Sequence, residues 1–282
     1  MIKEQLQIHY PKDPLLQQYI AYYYFLNTTA DFYSHYFSFP NTITSFNIHK
    51  NVNARITAQC ITVSHDLANQ YLAILQGKYK QPLEVELSGR MDKVTIGFKP
   101  LGLGHFMDRH YGDVATNTSQ IFTEWDGECN YHNMLDAFFG TDDLNSRVDV
   151  LEKYLLQIYR PVPADNLLEE ALTLLTDERN FSTLAIAEQL NQSERTFNRL
   201  FRKHMGLSPN VYRIISRFRK SMEVKLFSEN FISLTEACYR SGFYDQAYFN
   251  KLYQKATGSN PRRFFQEVAS FADNHLIFKV TE

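Results

Sequence analysis

Between Ser193 and Lys203 the side chains of Arg195, Asn198, Arg199 and Arg202 recur at steps of three, four and seven, a spacing that gathers them on one face of a helix. Phe197, Leu200 and Phe201 fall on the opposite face. Such a row of donors suits base edges in a DNA groove, because a guanidinium matches O6 and N7 of guanine and a carboxamide matches N6 and N7 of adenine. Fifty-two residues on, Phe197-Asn198-Arg199-Leu200-Phe201 is answered by Phe249-Asn250-Lys251-Leu252-Tyr253, and Lys203, Gly206 and Pro209 by Lys255, Gly258 and Pro261. Two copies of one supersecondary unit are present. In the second copy Ala247, Asn250, Lys251 and Gln254 point outward, with Gln246 near the start. Solvation alone would also place polar residues on the outer side of a helix, but the repetition at fixed spacing favours base reading. Candidate base contacts are Arg195, Asn198, Arg199, Gln246, Asn250 and Lys251; Thr196, Arg202 and Gln254 are candidates for phosphate.

Each donor row needs a scaffold that projects it. Upstream of the first lies a short helical pattern, Leu184, Ala187 and Leu190, and upstream of the second another, Leu234, Ala237 and Cys238. Asn191-Gln192-Ser193 breaks the first pair and Ser241-Gly242-Phe243-Tyr244-Asp245 the second, where Gly242 can take a positive φ. Helix, tight turn, helix is the form that sets a second helix into a major groove. Ser182, Ser193 and Asp245 stand where N-caps belong, Phe181 with Ile186 and Tyr244 with Phe249 have the staple spacing, and Gly206 and Gly258 suit helix ends. Between the copies, Val211 to Phe227 reads as a helix of seventeen residues, a rod of roughly 25 Å. Its Arg213, Arg217 and Lys220 share one face, available for phosphate or simply solvated; as phosphate contacts, their loss would weaken all DNA sites uniformly.

These residues resemble the AraC/XylS family of bacterial transcription regulators: Ser193-Glu194-Arg195-Thr196-Phe197-Asn198-Arg199-Leu200-Phe201, Gly206-Leu207-Ser208-Pro209, Gly242-Phe243-Tyr244-Asp245-Gln246-Ala247-Tyr248-Phe249 and Gly258-Ser259-Asn260-Pro261. The likeness covers roughly a hundred residues, with both copies in order. It implies seven helices, one asymmetric double-stranded DNA site per subunit, and most often activation through contact with RNA polymerase. It also implies base contacts at the six positions named above, although Ala247 departs from the polar residue sometimes found there. Ile96-Gly97-Phe98-Lys99-Pro100-Leu101-Gly102 and the helical stretch from Arg147 to Ile158 resemble N-terminal domains that accompany such regions and often sense a small-molecule effector or dimerise.

Charge supports this division. The whole chain carries a net charge of -2, yet residues 164–270 hold fifteen Lys and Arg against twelve Asp and Glu, while the preceding part holds thirteen against seventeen. The field that matters to phosphate is local, since screening sets in within about 8 Å at physiological salt. Arg195, Arg199, Arg202, Lys203, Arg213, Arg217, Arg219, Lys220 and Lys225 crowd a window whose only acid after Glu194 is Glu223.

The expected architecture is α+β. Residues 1–160 form a sensing or dimerisation domain, β-rich to about 130 and helical from 131; 161–166, at Arg160-Pro161-Val162-Pro163, a linker; 166–270 an all-α domain of two helix-turn-helix units joined by a long helix; and 271–282 a tail. Strands are expected at Tyr19 to Leu26, Ile43 to Ile48, Ala58 to Val63, Tyr71 to Leu75, Leu83 to Leu87 and Val94 to Phe98, building a small barrel or sandwich, with a cupin-like form among the options. Most of Tyr22, Tyr23, Tyr24, Phe25, Phe37 and Phe39 belong in its core. Leu144, Val148, Leu151, Leu155 and Ile158 make an apolar stripe that fits equally its own β domain or a second copy in a homodimer.

With 282 residues, 44% of them hydrophobic, the chain can bury a sizeable core. It has no apolar run of the roughly 20 residues a membrane span needs, and its start, Met1-Ile2-Lys3-Glu4-Gln5, does not read as a secretory signal, so a cytoplasmic protein is expected. Cys60, Cys129 and Cys238 are too few and too far apart for a disulfide framework or a zinc cluster and are expected to be buried thiols. His105 and His110 lack an H-E-x-x-H setting, Lys99-Pro100 interrupts the glycines at 97, 102 and 104, which fit a strand-to-helix turn, and Asp142-Asp143 fits a helix cap. No nucleophile elbow or phosphate loop is present. Neither enzymatic activity, cofactor nor metal is expected. An effector-independent regulator, or a repressor, with an N-terminal domain serving only protein-protein interaction is the alternative.

Overall fold

The computed structural model describes residues 6–128, 130–228, 232–271 and 276–281; Cys129 and the first five residues lie outside them. The chain divides into two compact units, one containing residues up to 35, 43–77 and 85–162, the other 36–42, 78–84 and the chain from 163.

In chain order the first part comprises β1 (Leu6–His9), α1 (Pro14–Tyr19), β2 (Ile20–Asn27), β3 (Tyr33–Ser38), β4 (Thr44–Lys50), β5 (Val52–Ile56), β6 (Cys60–His65), β7 (Tyr71–Gln76), β8 (Leu83–Ser88) and β9 (Asp92–Phe98). A 3-10 helix, Gly102–Phe106, follows, then α2 (Tyr111–Val114), β10 (Ser119–Ile121), α3 (Tyr131–Phe139) and α4 (Leu144–Ile158). All six expected strands are present. The main sheet runs β1-β2-β9-β4-β7-β10, with β2 and β4 each antiparallel to β9 and Phe46 opposite both Ile96 and Leu75. A second sheet has β3, β8, β6 and β5 in that order. Among the described residues two sheets form, without closing into a barrel, so the sandwich alternative holds.

Strand alternation gives the main sheet two inward faces. From one, Tyr23, Phe25, Phe46, Ile48, Leu75, Val94, Ile96 and Phe98 pack with Trp125 and the buried sides of α3 and α4. The stripe Val148, Leu151, Leu155 and Ile158 belongs to this core, which resolves the two options for it in favour of its own domain. Asp143 caps α4, accepting from the Ser146 N–H at 2.8 Å. Arg147 is 2% exposed and pairs bidentately with Asp92 at 2.7 and 3.1 Å. Cys60 is half-buried rather than enclosed, because it begins β6 directly after the exposed turn at Thr57, Ala58 and Gln59; Cys238 is buried.

The other unit contains α5 (Asp165–Thr176), α6 (Thr183–Gln189), α7 (Glu194–Met205), α8 (Pro209–Phe227), α9 (Leu234–Arg240), α10 (Gln246–Thr257), α11 (Pro261–Glu267), β11 (Ala269–Phe271) and β12 (Leu276–Thr281). The expectation of an all-α domain followed by a tail needs correction, since β11 and β12 pair antiparallel. The run Leu276-Ile277-Phe278-Lys279-Val280-Thr281 has the β-branched and aromatic content of a strand. Ile277 joins a core of Phe39, Phe218, Met222, Cys238, Phe249, Tyr253 and Phe264.

Candidate nucleic-acid interface

The first head is α6, a turn and α7. Ser182 caps α6 by accepting from the Ala185 N–H at 3.1 Å. Asn191 turns the chain at φ +54°, a left-handed position that asparagine tolerates better than most residues. Ser193 then caps α7, its Oγ accepting from the Thr196 N–H at 3.2 Å, and the helix ends on Gly206 at φ +69°. Phe197 and Phe201 are fully buried, which fixes the rotation of α7 and turns Arg195, Arg199 and Arg202 to solvent. Among the described residues none of these three guanidinium groups has a hydrogen bond or ion pair. Two expected contacts sit differently. Thr196 Oγ1 accepts from Ser193 Oγ at 2.9 Å, and Asn198 Nδ2 donates to the Glu194 carbonyl at 2.9 Å, leaving the Asn198 Oδ1 as its outward group.

The second head repeats this plan with other residues. Gly242 makes the turn after α9 at φ +82°, Asp245 caps α10 through the Ala247 N–H at 2.8 Å, and Gly258 ends it at φ +75°. Phe249 and Tyr253 are buried; Gln246, Asn250, Lys251 and Gln254 are exposed. Gln254 Nε2 is drawn back to the Gly258 carbonyl at 2.9 Å. The Tyr244 staple does not close, as that ring is 70% exposed. Tyr253, by contrast, is anchored at depth by a 2.7 Å hydrogen bond between its hydroxyl and Ser221 Oγ.

Joining the heads, α8 is longer than expected, nineteen residues from a Ser208 cap. Here the reading of Arg213 and Arg217 as part of a solvated phosphate face requires correction. Arg213 is 9% exposed and donates from Nη2 to the Phe181 carbonyl at 2.5 Å; Arg217 is half-buried and donates to Asn180 Oδ1 at 2.5 Å. Burial pulls both guanidinium groups below the ordinary arginine pKa, aided at Arg213 by the charge of Arg217. Lys220 is exposed but lies 3.6 Å from Glu178. Arg219 is buried too, and Lys225 donates to the Ile232 carbonyl. The physical reason is that α8 is covered on more than one side: Tyr212, Ile215, Phe218 and Met222 bury one face, while the segment at Asn180 and Phe181 lies against Arg213 and Arg217. Asn180, at φ +56° just before the first cap, was not singled out by sequence; its signal is an asparagine ahead of Phe181-Ser182. Within the window from Arg195 to Lys225, the exposed positive charge is therefore concentrated on α7, with Lys220 on α8.

Residues 186–267, which span both heads, match the family model described as a helix-turn-helix domain. The arabinose operon regulatory protein of Escherichia coli (strain K12) is 26% identical over 164 residues, 55% of this chain and 51% of that protein. The HTH-type transcriptional activator RhaS of Salmonella arizonae is 36% identical over 78 residues, 28% of this chain and 27% of that one. The chain thus spans about half the length of the first relative and about a quarter of the second. Among solved structures, ToxT from Vibrio cholerae is 11% identical with a TM-score of 0.47, covering 93% of this chain and 98% of its own.

Proposed function

We propose that this chain, whose residues 186–267 form an AraC-type helix-turn-helix domain, is a sequence-specific DNA-binding transcriptional regulator, acting in the cytoplasm as an activator in contact with RNA polymerase. The observation that carries this reading is the pair of capped helices α7 and α10, each with its aromatic side buried and its donors exposed, on either end of one long helix. Nineteen residues make α8 about 28 Å long, compatible with heads that enter successive major grooves about 34 Å apart. Arg195, Asn198 and Arg199 read bases from the first head and Gln246, Asn250 and Lys251 from the second; Thr196, Arg202, Lys220 and Gln254 meet phosphate. Arg213 and Arg217 hold the heads in place. The unit built on β1 to β10, α3 and α4 serves as the effector-responsive part. The names of the two relatives, an operon regulatory protein and an HTH-type transcriptional activator, support transcriptional regulation, and the second supports activation.

Selection of bound duplexes from a random pool, followed by the same selection with Arg199→Ala, tests the assignment. Loss of one bidentate base contact costs about 1–3 kcal/mol at a single base pair. Equal weakening on every sequence, with no change of preference anywhere, would refute base reading by Arg199.

A further inference from the structure

The main sheet has a second inward face, opposite the one that packs on α3 and α4, and it is polar where a sandwich interior is ordinarily apolar. Three cross-strand pairs of β4 and β9 line it: His49 with Lys93, Asn47 with Thr95, and Ser45 with Gly97. Alongside, β2 sets Tyr24 opposite Thr95 and Tyr22 opposite Gly97. Asn47, His49, Lys93 and Thr95 are all at most 4% exposed.

Their hydrogen bonds leave one group conspicuously short. Asn47 makes three bonds: Oδ1 accepts from Thr95 Oγ1 at 2.6 Å and from Lys93 Nζ at 3.3 Å, and Nδ2 donates to the Ile74 carbonyl at 3.4 Å. Lys93 has only that long bond and the ring of Tyr24 at 5.2 Å. No carboxylate pairs with it among the described residues. His49 Nδ1 and, on β3, the Ser34 hydroxyl are buried without partners. Burial and the charge of Lys93 hold His49 well below the ordinary histidine pKa, so the imidazole is neutral and adds no second cation. A buried ammonium with two unused donors opposes folding unless an anion completes it. From the second sheet, the alternation of β6 and β8 turns Ile61, Val63, Val85 and Leu87 inward.

We infer that this interior face is a binding site for a small organic carboxylate, whose anionic end is held by Lys93 with its cross-strand neighbour His49 as a further hydrogen-bonding group, and whose apolar end meets the second sheet. One cation among neutral groups matches a monoanion; phosphate dianions call for several cations or a row of backbone N–H groups. The inference rests on reading the β-rich unit as effector-responsive.

The test is thermal melting of the full chain with acetate, butyrate, octanoate and benzoate, each against its primary amide, and with inorganic phosphate, at constant ionic strength. At a hundredfold excess over Kd a carboxylate should raise the melting temperature by about 5 °C or more, with its amide and phosphate inert. Lys93→Met should abolish that response and melt at or above the parent temperature without ligand, because an uncompensated charge has gone. Lys93→Gln, which keeps a donor for Asn47, should bind at least tenfold more weakly. No response to any carboxylate, an equal response to the amides, a response undiminished in both variants, or a ligand-free Lys93→Met that melts below the parent would overturn the inference. Failure of the effector reading is a separate result: carboxylate binding through Lys93 that leaves DNA affinity unchanged.

Discussion

Arg213 offers a sharp separation between a charge that meets DNA and one that holds the protein together. Consider Arg213→Met, which keeps an apolar stem and removes the guanidinium. Were Arg213 on phosphate, its loss would lower the slope of log K against log salt by about 0.9, worth roughly 3.5-fold in affinity between 50 and 200 mM. The geometry predicts otherwise. Its Nη2 is 2.5 Å from the Phe181 carbonyl and the residue is 9% exposed. Deleting a hydrogen bond from a charged group costs about 1.5–3 kcal/mol, and in a domain-sized unit that lowers the melting temperature by roughly 6–12 °C. Fluorescence anisotropy of a labelled cognate duplex, taken across the salt range below the melting point, should therefore return the parent slope, while calorimetry shows the earlier transition. Arg202→Met is the control, with the opposite pattern: exposed and unpaired, it should reduce the slope and leave the melt in place. A slope reduced by about one unit in Arg213→Met, with an unmoved melting temperature, would refute the placement.

Two further perturbations probe the scaffold. Gly258 has no atom within 4 Å of an added Cβ, so Gly258→Ala should cost only the left-handed backbone term, about 1–2 kcal/mol. At Gly242 the same change also drives a Cβ to 3.1 Å from Arg217 Nε; denaturation monitored by circular dichroism should find it the more damaging, and the reverse order would contradict the turn described. In the β-rich unit, Arg147→Met strands Asp92 and should cost about 3–5 kcal/mol, most of it recovered by adding Asp92→Asn. Additive losses in that double-mutant cycle would show that the pair acts independently.

The parts of the fold legible from sequence are those in which local chemistry and tertiary environment agree. Ser182, Ser193 and Asp245 cap as their positions indicate, because a cap needs only its own helix. The six strands marked by β-branched and aromatic runs all form. Shorter or more polar strands escape that signal: Tyr33-Ser34-His35-Tyr36-Phe37-Ser38 owes its state to pairing with the distant β8, and Val52-Asn53-Ala54-Arg55-Ile56 to a hairpin with β6. The same limit explains Arg213 and Arg217. Periodicity correctly puts them on one face of α8, but whether that face meets solvent is decided by elements elsewhere in the chain, and here Phe181 and Asn180 meet it. The buried Lys93 was equally hidden, for a lysine in a strand of alternating residues ordinarily faces water.

Relocating those charges changes how the two heads compare. Counted along the sequence, the positive window runs through both α7 and α8 and belongs to neither head. With Arg213, Arg217, Arg219 and Lys225 turned inward, what remains is chiefly Arg195, Arg199, Arg202 and Lys203 on the first helix. The second helix offers Lys251 and Lys255 with the neutral amides of Gln246 and Asn250, beside Ala247 and the exposed rings of Tyr244 and Tyr248. Guanidinium groups pair best with guanine and amides with adenine. On the proposed reading the asymmetry is therefore one of kind as well as of strength: the first head combines the stronger attraction to phosphate with the more polar readout, while the second, attached to the same rigid helix, is brought to DNA largely by the charge of its neighbour. That dependence is the physical reason for a stiff connection through α8, since a weakly charged head gains effective concentration only when its partner holds it in register.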